Sequence, residues 1–242
     1  MNDFIFDTLL IKNGQIKDLF IHKKNFKENA KWIGYDFKEE MYDSLLREVI
    51  KSEIEHKKDP MREVKLNIFL FEDGRIEYKK KLYEKNINRC LLFDGYIKRI
   101  SAKRYLKDNI YIDLYKKNKR YFKDFLDVIL VNEKSEVCEG LTSNIFFMKD
   151  NVFYTPEVSC GLYDGVTKER FIKDMEDSNF DVRRCSILLK DIFSFERCLI
   201  TSSLKGIIEV EEILFKNVSD FKDRFIVFKK CNRTLPVEDA GK

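Results

Sequence analysis

Two spacings organise the first hundred residues, alternation at period two and recurrence at three to four. Residues 3–12, around FIFDTLLIK, are apolar and rich in types that favour strands. Asn13-Gly14 follows, the dipeptide best suited to a tight hairpin turn, and QIKDLFI can return as the second strand. From His22 to Gly34 the apolar residues Phe26, Ala30 and Ile33 recur at helical spacing, and Gly34 suits a helix C-terminus. Residues 38–57 carry Met41, Leu45, Leu46, Val49, Ile50 and Ile54, a second amphipathic helix. VKLNIFLFEDGRIEYKKKL reads as a strand, an Asp73-Gly74 turn and another strand, and CLLFDGYIKRI as a strand again.

The texture changes at 100–106, where Lys103, Arg104 and Lys107 crowd together before a helix predicted from Asn109 to Phe122. DVILVN and EVCEG are short strands around the polar turn Glu133-Lys134-Ser135, and SNIFFMKDNVFYTP is a hairpin. Gly165-Val166-Thr167 opens a helix from Lys168 to about Ser178. RCLITSS and GIIEVEEI read as strands, and Phe221 to Cys231 as a closing helix. There is no internal repeat. The pattern predicts an α+β protein of two halves, residues 1–100 and 107–242, joined by 101–106.

Composition narrows the class. Of 242 residues, 44% are hydrophobic and 14% aromatic, with only 9 Gly and 3 Pro, which excludes disordered and low-complexity chains. Forty-six basic residues against 42 acidic ones leave a net charge of +4, and the lysines are dispersed among acids. That is a solvated surface, not the concentrated basic face of a nucleic-acid binder, so no nucleic-acid partner is expected. Six cysteines form no CxxC pair and His22 and His56 are the only histidines, so no zinc site of common spacing is supported. The chain opens on a strand pattern, and no apolar run has the length of a membrane span. The expectation is a cytoplasmic protein with reduced thiols and no membrane association.

The usual catalytic motifs, GxSxG, GxxxxGK[ST], HExxH and GxGxxG, do not occur. His22, at a predicted helix start among lysines, reads as surface or structural. Four segments remain. Glu139 in EVCEGLTSNIFF is an acid at a strand end, and burial there would demand a positive partner. Gly165-Val166-Thr167 offers helix N-terminal amides and a hydroxyl to an anion. Thr201-Ser202-Ser203, followed by Gly206, is a hydroxyl-rich turn between strands. Lys107 stands in a lysine cluster, and a lysine in a cleft can condense with an aldehyde. Taken singly, these are a plain helix cap, a solvated strand end, an ordinary turn and one lysine among many. Together they are the donors, acid and amine that pyridoxal phosphate (PLP) requires.

With these segments the sequence resembles the class IV aminotransferases, the fold type IV family of PLP enzymes with two α/β subdomains. The matching pieces are LLIKNGQI, HKKNFKENAKWIGY, LKDN, DVILVNEKSEVCEGLTSNIFF, YTPEVSCGLYDGVTKER and LITSSLKGIIEV, in the family's order across most of the chain. EVCEGLTSNIFF is similar to its E-G-x-x-S/T-N signature, and CGLYDGVTKER to its G-[IV]-T-[RK] phosphate turn. The resemblance implies that Glu139 pairs with the pyridine nitrogen. It implies that Val166, Thr167 and Ser203, or Ser202 beside it, bind phosphate, with Asn144 of the signature also in the cofactor site. The family's Schiff-base lysine precedes that acid by just over thirty residues, which selects Lys107, with Lys103 the alternative. The family commonly has H-x-x-R-L in its first helix, and this chain has His22-Lys23-Lys24-Asn25-Phe26, with Asn25 at the arginine position. Lys24 or Lys27 could substitute, and Lys65 could match a later basic residue of the family.

The SCGLYDG and TSSLKGI segments most resemble the aminodeoxychorismate lyase branch. That implies elimination of pyruvate from 4-amino-4-deoxychorismate to give p-aminobenzoate, a step of folate synthesis. The alternatives are transamination of D-amino or branched-chain amino acids, which uses the same residues, and a cofactor-free relative with a binding role. The resemblance further implies a small-molecule amine substrate and a homodimer.

Overall fold

A computed structural model describes residues 3–55, 62–98, 107–218 and 225–228. Lys103, and the lysine crowding before Lys107, lie outside the described residues. The chain divides into two compact units, Met1–Lys85 with Leu106–Leu114, and Asn86–Tyr105 with Tyr115–Lys242.

In the first unit, β1 (Phe4–Lys12), β2 (Gln15–Ile16), β3 (Glu63–Phe71) and β4 (Ile76–Leu82) form an antiparallel sheet in the order β2-β1-β3-β4. Asn13 and Gly14 both take left-handed backbone conformations (φ 53° and 71°), the tight turn that their types favour. The return strand is only two residues long. Asp18, also left-handed, ends it, and α1 begins at Leu19, so the LFI read as strand is helix. α1 (Leu19–Ile33) and α2 (Glu39–Glu55) lay Phe26, Ala30, Tyr42, Leu46 and Val49 against Ile5, Leu9, Ile11, Leu66, Ile68 and Leu70 of the sheet. Strand alternation therefore sends odd positions of β1 and even positions of β3 beneath the helices.

The second unit has two five-stranded sheets and a helix. β5 (Cys90–Lys98), β6 (Asp127–Val131), β7 (Val137–Gly140), β13 (Glu212–Lys216) and β14 (Phe225–Val227) run in the order β14-β13-β5-β6-β7. β8 (Asn144–Lys149), β9 (Val152–Pro156), β10 (Asp181–Cys185), β11 (Arg197–Ser202) and β12 (Gly206–Val210) run in the order β10-β9-β8-β11-β12. Leu91, Phe93, Ile129, Val131 and Phe215 of one sheet meet Ile145, Phe147, Cys198, Ile200 and Val210 of the other. On the far face of the second sheet, Phe146, Phe153, Leu199 and Ile207 pack against Phe171, Ile172 and Met175 of α4 (Val166–Asp177). α3 (Asn109–Asn118) and a 3-10 turn, Lys119–Lys123, replace the single helix expected to Phe122.

Four features depart from the sequence reading. β5 pairs in parallel with β13 and β6, so its residues belong to the second unit, and Lys107 returns to the first, where its carbonyl accepts the Phe6 N–H (2.8 Å). The break falls at residue 85, not at 100. GIIEVEEI is two strands, with Val210 and Ile213 both in the inter-sheet core but in different sheets. Phe225–Val227 of the expected closing helix is strand, paired with β13. β10, DVRRC, carries no apolar alternation because it is a largely exposed edge strand, held by parallel pairing to β9.

Candidate active site

The chain crosses from one sheet of the second unit to the other at residues 140–144, and most of the candidate residues gather there. β7 is buried throughout, and its penultimate residue, Glu139, is 3% exposed. One carboxylate oxygen, Oε2, accepts the Tyr163 N–H (3.0 Å) and lies 3.4 Å from the Asn144 amide nitrogen. Asn144 also donates to the Tyr163 carbonyl (2.7 Å), tying the start of β8 to the segment before α4. Gly165 closes this packing. A Cβ there would lie 2.3 Å from Asn144 Oδ1, so no other residue fits without moving the asparagine.

α4 starts at Val166 with Gly165 as N-cap, and no side chain caps it. Val166, Thr167 and Lys168 are all buried, so the bare N–H groups of the first turn lie within the protein. Ser202 and Ser203 follow at the end of β11. The Ser202 hydroxyl oxygen accepts the Lys205 N–H (3.0 Å) and so braces the turn into β12. Thr201, just before them, is 1% exposed, and its hydroxyl has no hydrogen-bond partner among the described residues.

Lys107 lies in the first unit beside β1, at the bridge of Ile5 with Asp108. Asp7, buried on the helix-covered face of β1, accepts a hydrogen bond at Oδ2 from His22 Nδ1 of α1 (2.7 Å). His22 is therefore the structural histidine expected, but it is buried, not a surface residue. Burial pushes the Asp7 carboxyl up, yet the contact with His22, the Lys107 charge and the Thr8 N–H together hold it below the usual aspartate value. A lowered carboxyl stabilises the fold at pH values above the unfolded aspartate pKa, and this is lost as pH falls through the folded one. Asp7→Asn is thus expected to unfold at lower urea concentration than the parent at neutral pH, by about 1–3 kcal/mol. The gap should begin to narrow below roughly pH 4, the ordinary aspartate range, and close as the folded carboxyl, held lower, takes up its proton. A gap constant from pH 7 to pH 3 would contradict this.

Position 25 shows no cationic replacement in its own helix. Asn25 is half-buried, Lys24 is exposed, and Lys27 binds Glu39 (2.8 Å) on the surface. Lys65 lies on β3 opposite Leu10, on the face turned away from the helices. Cys160 is buried, its carbonyl accepts the Cys138 thiol, and burial pushes its own thiol up.

Sequence reasoning missed the ion pair that ties this region together. Asp127, fully buried at the start of β6, accepts from the Val128 N–H (2.8 Å), the Thr142 hydroxyl (2.8 Å), the Ser143 hydroxyl (2.7 Å) and Lys205 Nζ (2.8 Å). Lys205 Nζ donates also to Thr142 Oγ1 (2.6 Å) and the Leu126 carbonyl (3.2 Å), so its three protons are all engaged. One ammonium thereby joins the turn after Ser203 to the turn between Glu139 and Asn144. The one sequence signal was a charged residue opening the otherwise apolar DVILV. Nothing in TSSLKG marks Lys205.

Amino-transferase class IV is the family model that matches, over residues 4–213. The chain belongs to the class IV aminotransferase family. Among curated relatives, a probable branched-chain-amino-acid aminotransferase of Thermotoga maritima is 30% identical over 95 residues, 39% of this chain and 35% of its own. The aminodeoxychorismate lyase of Bacillus subtilis is 29% identical over 94 residues, 38% of this chain and 32% of its own. These matches span about a third of each relative's length. A Legionella pneumophila structure provisionally named a 4-amino-4-deoxychorismate lyase superposes with TM-score 0.75 at 19% identity, covering 94% of this chain and 85% of its own. A hypothetical aminotransferase of Mycobacterium tuberculosis in its PLP-bound form gives TM-score 0.70 at 15% identity, covering 87% and 81%.

Class IV aminotransferases are PLP enzymes, and the residues present fit that cofactor. The second unit has a buried carboxylate for a ring nitrogen, and a buried, uncapped helix start for a phosphate. The absence of a Cβ at Gly165 lets Asn144 pack against that helix start.

Proposed function

We propose that the chain is a PLP-dependent enzyme acting on a small-molecule amine. Lys107 would hold the cofactor through its aldehyde carbon and carry the substrate proton. Glu139 would face the pyridine nitrogen. Val166 and Thr167 at the start of α4, with Ser203 and Ser202 from the turn after β11, would hold the phosphate, and Asn144 would fix Glu139. The observation that carries this reading is Glu139, a buried acid at a strand end, set by the Tyr163 N–H beside the bare start of α4. A protonated pyridine would add a cationic partner to this buried carboxylate, which the Tyr163 N–H already holds in place.

Bound there, PLP would supply an electron sink for the pair released when a proton leaves the substrate carbon beside nitrogen. The chain's own groups do the rest. The Lys107 amine takes that proton. The Glu139 carboxylate keeps the proton on the ring nitrogen. Amides and hydroxyls at the start of α4 and in the turn after β11 would hold the phosphate and keep the cofactor in place.

The finer reading is a lyase that releases pyruvate from 4-amino-4-deoxychorismate, leaving p-aminobenzoate. The Legionella structure and the Bacillus relative support it by likeness. The name of the Thermotoga relative favours a second reading, transfer of an amino group from a branched-chain amino acid to a 2-oxo acid. The same reading of the family expects a homodimer. Incubating the PLP-loaded protein with 4-amino-4-deoxychorismate separates the two reactions. The lyase reading expects pyruvate and p-aminobenzoate in equal amounts. Amino transfer from leucine to 2-oxoglutarate with no pyruvate release would reverse the assignment, and neither reaction would leave transamination of D-amino acids and the cofactor-free alternative.

A further inference from the structure

Thr201 presents a buried hydroxyl with no hydrogen-bond partner among the described residues, and strand register shows where it faces. Thr201 stands opposite Asn144 of β8 on one side and Ile207 of β12 on the other. Ile207, with Leu199 two residues before Thr201 and Phe146 two after Asn144, packs against Phe171, Ile172 and Met175 of α4. Thr201 and Asn144 therefore share the α4 side of the sheet, as directly opposed residues whose Cβ atoms are typically about 5 Å apart. Asn144 in turn abuts the N-cap of α4, since a Cβ on Gly165 would strike its Oδ1. The orphaned hydroxyl thus flanks the one end of α4 whose amides are buried and uncapped.

A buried hydroxyl without a partner is a cost that a sequence can remove by valine at no loss of volume. Its retention beside bare amide donors indicates a ligand rich in acceptor oxygens. We propose that Thr201 donates its hydroxyl to the phosphate monoester held at the start of α4, as a donor additional to Thr167 and the Ser202-Ser203 turn. This rests on the PLP reading above. It also bears on Asn25, because the phosphate site then draws on neutral donors of the second unit where the family commonly uses an arginine.

Thr201→Val and Thr201→Ser test the proposal with two readouts. The first is affinity for PLP and for pyridoxal, which lacks the phosphate, measured by absorption titration, with inorganic phosphate as competitor. Thr201→Val is expected to weaken PLP and inorganic phosphate roughly 10- to 100-fold, the worth of a hydrogen bond to a charged group, and to leave pyridoxal unchanged. Thr201→Ser should restore both. The second is thermal unfolding without ligand, where Thr201→Val should melt no lower than the parent, since it removes an unsatisfied group. Unchanged PLP affinity in Thr201→Val, or equal loss of PLP and pyridoxal, would overturn the assignment. A parent protein that binds inorganic phosphate, sensitively to Thr201→Val, but not PLP would overturn the cofactor reading and keep the phosphate site.

Discussion

Lys107→Ala is expected to lose turnover by about 10⁴-fold or more, because in the proposed mechanism Lys107 is both covalent anchor and proton carrier. The substitution should leave the fold in place. One contact of this residue with β1 runs through its carbonyl, which accepts the Phe6 N–H whatever the side chain. The variant should also keep measurable affinity for PLP, held by the phosphate donors of the second unit, while losing any adduct that borohydride can fix. Lys107→Arg should behave alike, since a guanidinium keeps the charge but does not condense with an aldehyde at neutral pH. Activity within tenfold of the parent in either variant would remove Lys107 from its role. Asp7 offers a check on the same residue, because loss of the Lys107 charge should raise its carboxyl.

The second large effect is on stability. Lys205→Met keeps most of the side-chain volume but leaves the Asp127 carboxylate fully buried with its cationic partner gone. Breaking a buried pair from one side costs about 3–5 kcal/mol. The remaining donors from Val128, Thr142 and Ser143 place the expected loss toward the lower end. Adding Asp127→Asn should recover part of it, because the double variant buries no net charge at all. Urea denaturation of the parent, the two single variants and the double variant measures the coupling directly. Additive losses would show that the pair is not an energetic unit. The same series reads function, since Lys205 ties the Ser203 turn to the Glu139–Asn144 turn, and its loss should weaken PLP binding in step with stability.

How much of this was legible in the sequence differs by region. The helices α1, α2 and α4 and the strands β1, β3, β8 and β9 followed from apolar spacing and from turns at Asn13-Gly14, Asp73-Gly74 and Asp150-Asn151, where the residue types suit the backbone. Glu139, Asn144, Val166 and Thr167 were singled out by short motifs, and the structure brings them together around Tyr163 and Gly165. What spacing could not reveal was partnership across distance. Glu211 sits between two strands of different sheets, and only the pairing of β13 with β5 separates them. Phe225–Val227 carries an apolar residue at each position, and without alternation it reads equally as helix. Lys205 looks like any solvated lysine until Asp127, 78 residues away, is placed against it. The orphaned hydroxyl of Thr201 depends likewise on which neighbours register supplies.

The measurement that bears most directly on the central claim is the absorption spectrum of the purified protein with added PLP, followed by borohydride reduction and peptide mapping. The account predicts a visible band that disappears on reduction and a stable pyridoxyl label on Lys107. A label on another lysine, such as Lys103 or Lys205, would contradict the assignment of the reactive amine. The absence of any band at saturating PLP would contradict the account of this chain as a PLP enzyme.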